Sequence, residues 1–469
     1  MSRSTISSFA QRQPDATIAG RHRPVASRAA WRPDTRICAT AIVLLAGVLA
    51  ACFPPAERNE NFRLRKMLKA GWRIARGEDV SRVLTQKYAG YDVGTPLFLA
   101  VTMKLTLSDD QLAEGPPTQA PPLFHWAHRA GFIVAITALF AALWGLTTPF
   151  VAAGVATLLL ASPNWRFIAW SDDVYLFPLY AFAATCVAIA VINQRSRIAW
   201  PALIVCAMAI GAACTFRNVS LLCVCPLLLL VVRPTTLQTT AAPRSTRIRA
   251  AATFLIATIC AVLPGRLVSS PGHVFWHPMH CGLAEFGGHE DAQARLYPWF
   301  INENELPEDA VPVQDWTDER SYRRARALVP DIVVCSPEYD AIMREDYLAL
   351  WKAYPVAMAQ TYARRLMNVL TLNPWQSHTA DSRIIHSLAD TMAVAFFPAI
   401  LLIAWRIRIP RRAFWLTIAF APMIIAPMIA HSGYIMYNAP AQLPAYVLAF
   451  WTLHHAIRRV RPRWSVQTR

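Results

Sequence analysis

The chain has 469 residues, 55% of them hydrophobic, a mean hydropathy of +0.30 and a formal net charge of +17. It is too apolar for an ordinary soluble enzyme and too long for one small domain, so it reads as an all-α polytopic membrane protein. The charge surplus leaves nucleic acid, anionic lipid and cytoplasmic loop anchoring open until the cations are placed. Most of the 10 cysteines lie inside apolar runs, where they act as small hydrophobes and imply no disulfide framework or zinc ladder.

Residues 1–36 are Arg-rich with scattered Pro and Ser and no helical apolar face, the pattern of a disordered cytoplasmic tail. The first apolar run, Ile37 to Phe53, is expected to be an uncleaved span, with a lipoprotein reading of Leu49-Ala50-Ala51-Cys52 as the alternative. Further runs occur at Ala130 to Leu146, Phe150 to Ala161, Val174 to Ile192, Ile198 to Phe216, Val219 to Val232, Ala250 to Val268, Leu388 to Trp405, Ala413 to Ala430 and Pro440 to Ile457. The count is about ten transmembrane helices, some shorter than the roughly 20 residues that span a bilayer upright.

If every run spans, the basic groups fall on one side: the N-terminal tail, Arg195 with Arg197, Arg233 to Arg249, Arg406 to Arg412 and Arg458 to Arg463. The positive-inside rule makes that side cytoplasmic, with both termini inside. The charge is then topological, and nucleic acid is not an expected partner. The organisation is an N-terminal membrane module over 37–268 with a first outer loop at 54–129, an extracytoplasmic subdomain at 269–387, C-terminal spans at 388–457 and a cytoplasmic tail from 458.

Several cations break the charge rule, because Arg63, Arg65, Lys66, Lys69, Arg73 and Arg76 lie on the outer side. They alternate with Phe62, Leu64, Met67, Leu68, Trp72 and Ile74, the pattern of an interfacial amphipathic helix over Phe62 to Ala75. The outer face also carries acids: Glu57, Glu60 and Asp92 in the first loop, and Asp172 and Asp173 in the next connection. Asp172 fits a helix cap as well as a functional carboxylate, and Arg217, between two short runs, fits a snorkelling anchor as well as an anion ligand. A carboxylate at the interface can take a proton from an acceptor hydroxyl while Arg and Lys neutralise a phosphate leaving group.

A helical pattern runs through Tyr339 to Leu372 in the second loop, where Tyr339 and Lys352 are placed either to contact a lipid phosphate or to form a solvated helix face. The His and Cys spacings around His280-Cys281 and Gly287-Gly288-His289-Glu290-Asp291 match no zinc pattern, so a structural loop is the reading there. Cys281 and Cys335 are the cysteines of this loop, and an oxidising compartment would let them pair if they lie close enough.

A short first span, an acidic first outer loop with interfacial helices, a carboxylate in the next outer connection and a basic cytoplasmic face resemble the GT-C superfamily of polyprenyl-phosphate-dependent glycosyltransferases. The closer likeness is to the bacterial branch that includes the aminoarabinose and protein mannosyl transferases. Glu57 to Gly71 resembles the family's first-loop motif, and Thr95-Pro96-Leu97-Phe98 is similar to its Pro-rich entry to the second interfacial helix. Where the family carries Asp in the first loop, this chain offers Glu57 or Glu60.

The resemblance implies an inverting transfer of sugar from a polyprenyl phosphate to a hydroxyl of an envelope glycolipid, polysaccharide or protein, with no cofactor. Glu57 or Glu60 would be the base, Asp92 and Asp172 or Asp173 would orient the substrates, and Arg217 with Lys352 would hold the phosphate. The competing classes are a lipid or solute transporter and an inactive GT-C-like envelope scaffold.

Overall fold

The computed structural model describes residues 62–84, 93–170, 174–193, 199–224, 243–268, 275–281, 317–334, 336–353 and 435–464, with isolated positions near 40–48, 355–363 and 422–423. Among them the regular structure is helical throughout, and no strand occurs. Two helices are long and apolar enough to cross a membrane, within Pro122–Leu146 and Ser245–Pro264, and three shorter apolar helices accompany them. The predicted spans Ile37 to Phe53, Leu388 to Trp405 and Ala413 to Ala430 lie outside the described residues apart from isolated positions, so the count of ten is not tested.

The first loop folds as α1 (Phe62–Ala75), α2 (Val80–Leu84), α3 (Gly94–Thr106) and α4 (Asp109–Glu114). The apolar side of α1 meets protein: Met67, Leu68 and Ala75 are buried with Leu99, Ala100 and Met103 of α3 and Leu112 of α4. Gly71 permits the close crossing, since a Cβ there would lie 2.7 Å from that of Leu99 and 3.1 Å from the Pro96 carbonyl. The Trp72 indole donates to the Leu112 carbonyl at 2.8 Å. The exposed apolar side chains of this unit, Val101 and Leu105, belong instead to α3.

The bundle comprises α5 (Pro122–Leu146), α6 (Pro149–Ala161), α7 (Pro163–Trp170), α8 (Phe177–Asn193), α9 (Trp200–Phe216) and α10 (Arg244–Val268), closed by the long α14 (Ile435–Trp464). Leu, Ile, Val, Ala and Phe from α5, α6, α8 and α9 fill one continuous core. α5 starts eight residues ahead of the apolar run at Ala130. Proline in its first turn suits a helix start, and Phe124 and His128 are buried there although polar neighbours interrupt the run. The connection between α6 and α8 is itself helical, with Trp165, Ile168 and Ala169 of α7 fully buried.

Helix directions follow from the contacts. The starts of α5 and α8 and the end of α9 meet, through Phe124, His128, Phe177 and Phe216. Gly211 of α9 lies against Ala261 of α10, so these two helices pack closely at that point. α14 runs antiparallel to α6, with Tyr446 reaching Ser162 just past the end of α6, Phe450 against Gly154 and His454 beside Phe150. Arg458, one turn beyond His454, therefore lies towards the start of α6, at the end of the bundle opposite the start of α5.

A second unit comprises α11 (Trp276–Cys281), α12 (Thr317–Leu328) and α13 (Pro337–Ala353), which pack together around Ala325, Ile332, Val334, Tyr339 and Met343.

Candidate functional site

Three carboxylates of the first loop have local roles. The Asp79 carboxylate accepts from the Arg82 amide at 2.8 Å at the start of α2. Asp109 and Asp110 occupy the first turn of α4, where a negative charge complements the helix dipole, and Ser108 caps that helix in a reciprocal pair with Gln111. Glu57, Glu60 and Asp92, and with them Asp172 and Asp173, lie outside the described residues.

What the described residues do build is an aromatic cap over one end of the bundle. Phe177 of α8 stacks on Phe216 of α9, with centroids 3.8 Å apart and planes 11° from parallel. Phe98 of α3 meets Phe216 edge-on at 6.2 Å and Phe124 of α5 at 5.2 Å. His128 fills the middle, 4.5 Å from Phe124 and 5.7 Å from Phe177, with Nδ1 on the Phe124 carbonyl at 3.2 Å. Tyr180 donates to the His128 carbonyl at 3.1 Å, and Gly131 leaves room for that hydroxyl. Gly94, the first residue of α3, presses on the Phe216 ring, which a Cβ would approach to 2.6 Å.

The cap joins the first loop to three helix ends, and Arg217 stands beside it. The Arg217 amide closes α9 on the Ala213 carbonyl at 2.8 Å, and its carbonyl accepts from Ser220 at 3.0 Å. The side chain is half-buried. The cap thus brings the end of α9, where Arg217 stands, to the starts of α3 and α8.

Tyr339 and Lys352 lie in the second unit. Tyr339 is fully buried, with its hydroxyl on Nδ1 of His277 at 2.7 Å, while Lys352 is exposed at the end of α13. Next to them His280 joins Ser321, Nδ1 to Oγ at 2.7 Å, and Asp346, Nε2 to Oδ2 at 2.8 Å. Arg324 reaches Oδ1 of Asp346 at 3.2 Å. Burial pushes the Asp346 carboxyl up, but the hydrogen bond and charge of His280, with Arg324 beside them, outweigh it and hold it below the usual range.

Ser321, His280 and Asp346 have the connectivity of a nucleophile, base and acid, yet Ser321 is 0% exposed and cannot meet a substrate. The three tie α11, α12 and α13 together. Both nitrogens of His280 are engaged, and among the described residues no group of three or more His, Cys, Asp or Glu could hold a metal. Cys335 and the Cys281 side chain lie outside the described residues.

Sequence reasoning missed the cap and the buried histidines. Phe98, Phe124, Phe177 and Phe216 look like ordinary members of apolar helices, and their convergence depends on tertiary packing. The available signals were the two histidines and the arginine, His125, His128 and Arg129, set into an otherwise apolar helix start.

No protein-family model matches the chain, and no curated protein matches it. Among solved structures, the crystal structure of apo ArnT from Cupriavidus metallidurans is similar at a TM-score of 0.33 and 15% identity, over 90% of this chain and 77% of that one. A likeness at that level assigns neither an activity nor a residue role.

Proposed function

We propose that the chain is a membrane glycosyltransferase of GT-C type, which moves a sugar from a polyprenyl phosphate to an acceptor hydroxyl on the outer face. The observation that supports it is the meeting of the first loop with the ends of α5, α8 and α9 at the aromatic cap beside Arg217. A transferase of this kind needs a base, a cation for the departing phosphate and a wall that excludes water, contributed by different segments at one mouth.

In the step itself, the acceptor oxygen attacks the anomeric carbon as the bond from that carbon to the phosphate oxygen breaks. The electron pair leaves with the polyprenyl phosphate, the acceptor proton passes to a carboxylate, and the configuration inverts. Glu57 or Glu60 takes the proton, Asp92 and Asp172 or Asp173 orient the substrates, and Arg217 with Lys352 neutralises the phosphate. The inner membrane is the site, with about ten spans and both termini inside.

The test is transfer from a labelled polyprenyl-phosphate sugar by purified protein. Alanine at Glu57 and Glu60 together is expected to lower transfer by about 10²–10⁴-fold with the protein still produced and folded. Full activity in that double variant would remove the base assignment. No transfer by folded wild-type protein across a panel of such donors would favour the scaffold reading.

A further inference from the structure

Two arginines of α5 and α7 each hold a buried Nε–H that meets no acceptor among the described residues. Arg129, two turns into α5, lies with its guanidinium carbon 5.6 Å from the ring centre of Trp126 and 5.5 Å from that of Trp170 in α7. Arg166 stands one helical turn before Trp170, on the same face of α7. The Nε of each arginine is shut off from solvent and has no hydrogen-bond partner among the described residues. Burial pushes the Arg166 pKa down. A guanidinium N–H shut off from solvent and left unpaired is costly, so two on neighbouring helices are an arrangement that an anion would relieve.

We propose that Arg129 and Arg166, framed by Trp126 and Trp170, form a binding site for the phosphate of a lipid. Stacking on the indoles fixes the plane of a guanidinium and leaves its edge for in-plane, two-point contact with phosphate oxygens. Two arginines match the charge of a phosphate monoester, about −1.5 to −2.

The surroundings favour a ligand with an apolar tail over a free ion. Trp126 is 65% exposed, and Ala130, Ile133, Val134, Thr137 and Ala141 continue the exposed stripe along α5 from that point. An exposed Trp at the head of such a stripe is the arrangement found where a helix enters a bilayer. A phosphate at the arginines would have its hydrocarbon chain against this stripe. The orientation of the mouth rests on the transferase reading above, whereas binding does not require transfer.

The test uses full-length protein in phosphatidylcholine nanodiscs, titrated without any sugar and read by Trp fluorescence and native mass spectrometry. The probes are undecaprenyl phosphate, undecaprenol, phosphatidylglycerol and inorganic phosphate. Undecaprenyl phosphate is expected to bind saturably and undecaprenol not to, with Arg129→Gln and Arg166→Gln each weakening binding about tenfold or more. Arg129→Lys, which keeps the charge but loses the fork, is expected to weaken it less.

Phosphatidylglycerol binding with the same arginine dependence would identify a bilayer lipid as the source and support the site. Inorganic phosphate binding as tightly as the lipid would overturn the lipid assignment. Unchanged lipid binding in both Gln variants, each monodisperse and with wild-type helicity, would overturn the site, and Arg166→Gln and Arg129→Lys keep the test open if Arg129→Gln misfolds. Arginine-dependent binding without transfer would count against the transferase alone, and transfer with binding unchanged in the variants against this site alone.

Discussion

The units at 62–114 and 275–353 are held together by different physics. The first loop is joined to the bundle by rings and glycines, with Gly94 and Phe98 against Phe216 and Phe124. Dispersion and burial of this kind leave few groups to titrate. The second unit is closed by polar groups, in which His280, Ser321, Asp346 and Arg324 form one chain and His277 with Tyr339 forms another. Packing that links separate segments suits a mouth whose shape must be kept, while the polar chain fastens three helices to one another. Damage to the first should therefore reach the bundle, and damage to the second should stay local.

The largest effect is expected at the cap. Phe216→Ala removes the ring that α3 and α8 share, and should destabilise the folded protein by about 3 kcal/mol, read as a fall in unfolding temperature in detergent. Under the transferase reading, transfer should fall with it even at temperatures where the variant stays folded. A variant with wild-type stability would show that the cap does not join loop to bundle.

Ser321→Ala should cost somewhat less, about 2 kcal/mol, because it leaves Nδ1 of buried His280 without its partner. Hydrogen exchange should rise within 275–353, with the bundle amides unchanged. Protection lost across the bundle would erase the contrast between the two regions.

The smallest effect is in pH. The Asp346 pKa is lower in the folded protein than the ordinary carboxyl value of 3.8, so the unfolded chain binds the proton more readily in acid. The stabilisation from Asp346 is fully present above about pH 4 and is lost as pH falls through the lower, folded value. Asp346→Asn should flatten the acid limb of protection in α11 to α13 below about pH 4 and leave its shape above pH 5 unaltered. An acid limb identical to wild type would mean that other carboxylates produce it.

Helical character was legible in the sequence, because apolar runs such as Phe150 to Ala161 are bounded by polar groups that would be costly to bury. The amphipathic period of Phe62 to Ala75 also gave the helix, though not its partner: an apolar face does not say whether lipid or protein covers it, and here Leu99 and Met103 do. The buried polar residues His128, His277 and His280 were illegible for the opposite reason. His277 and His280 enter a core because a hydroxyl or carboxylate from another segment waits for each, and the nearest of these ties spans 41 residues, while His128 settles on the Phe124 carbonyl of its own helix under rings brought by α3 and α8. Arg129 and Arg166 escaped notice because each is a single cation near a helix end, and only the indole of Trp170 relates them.

The antiparallel match of α14 with α6 carries a consequence for how the protein is made. Gly154 and Phe150 of α6 receive their covering rings from Phe450 and His454, almost three hundred residues later in the chain. During synthesis Gly154 and Phe150 lack these rings until α14 has been made, so this part of the bundle packs late. A stop codon shortly before α14 would leave the two positions without those covering rings, exposing apolar surface of the kind that quality control recognises.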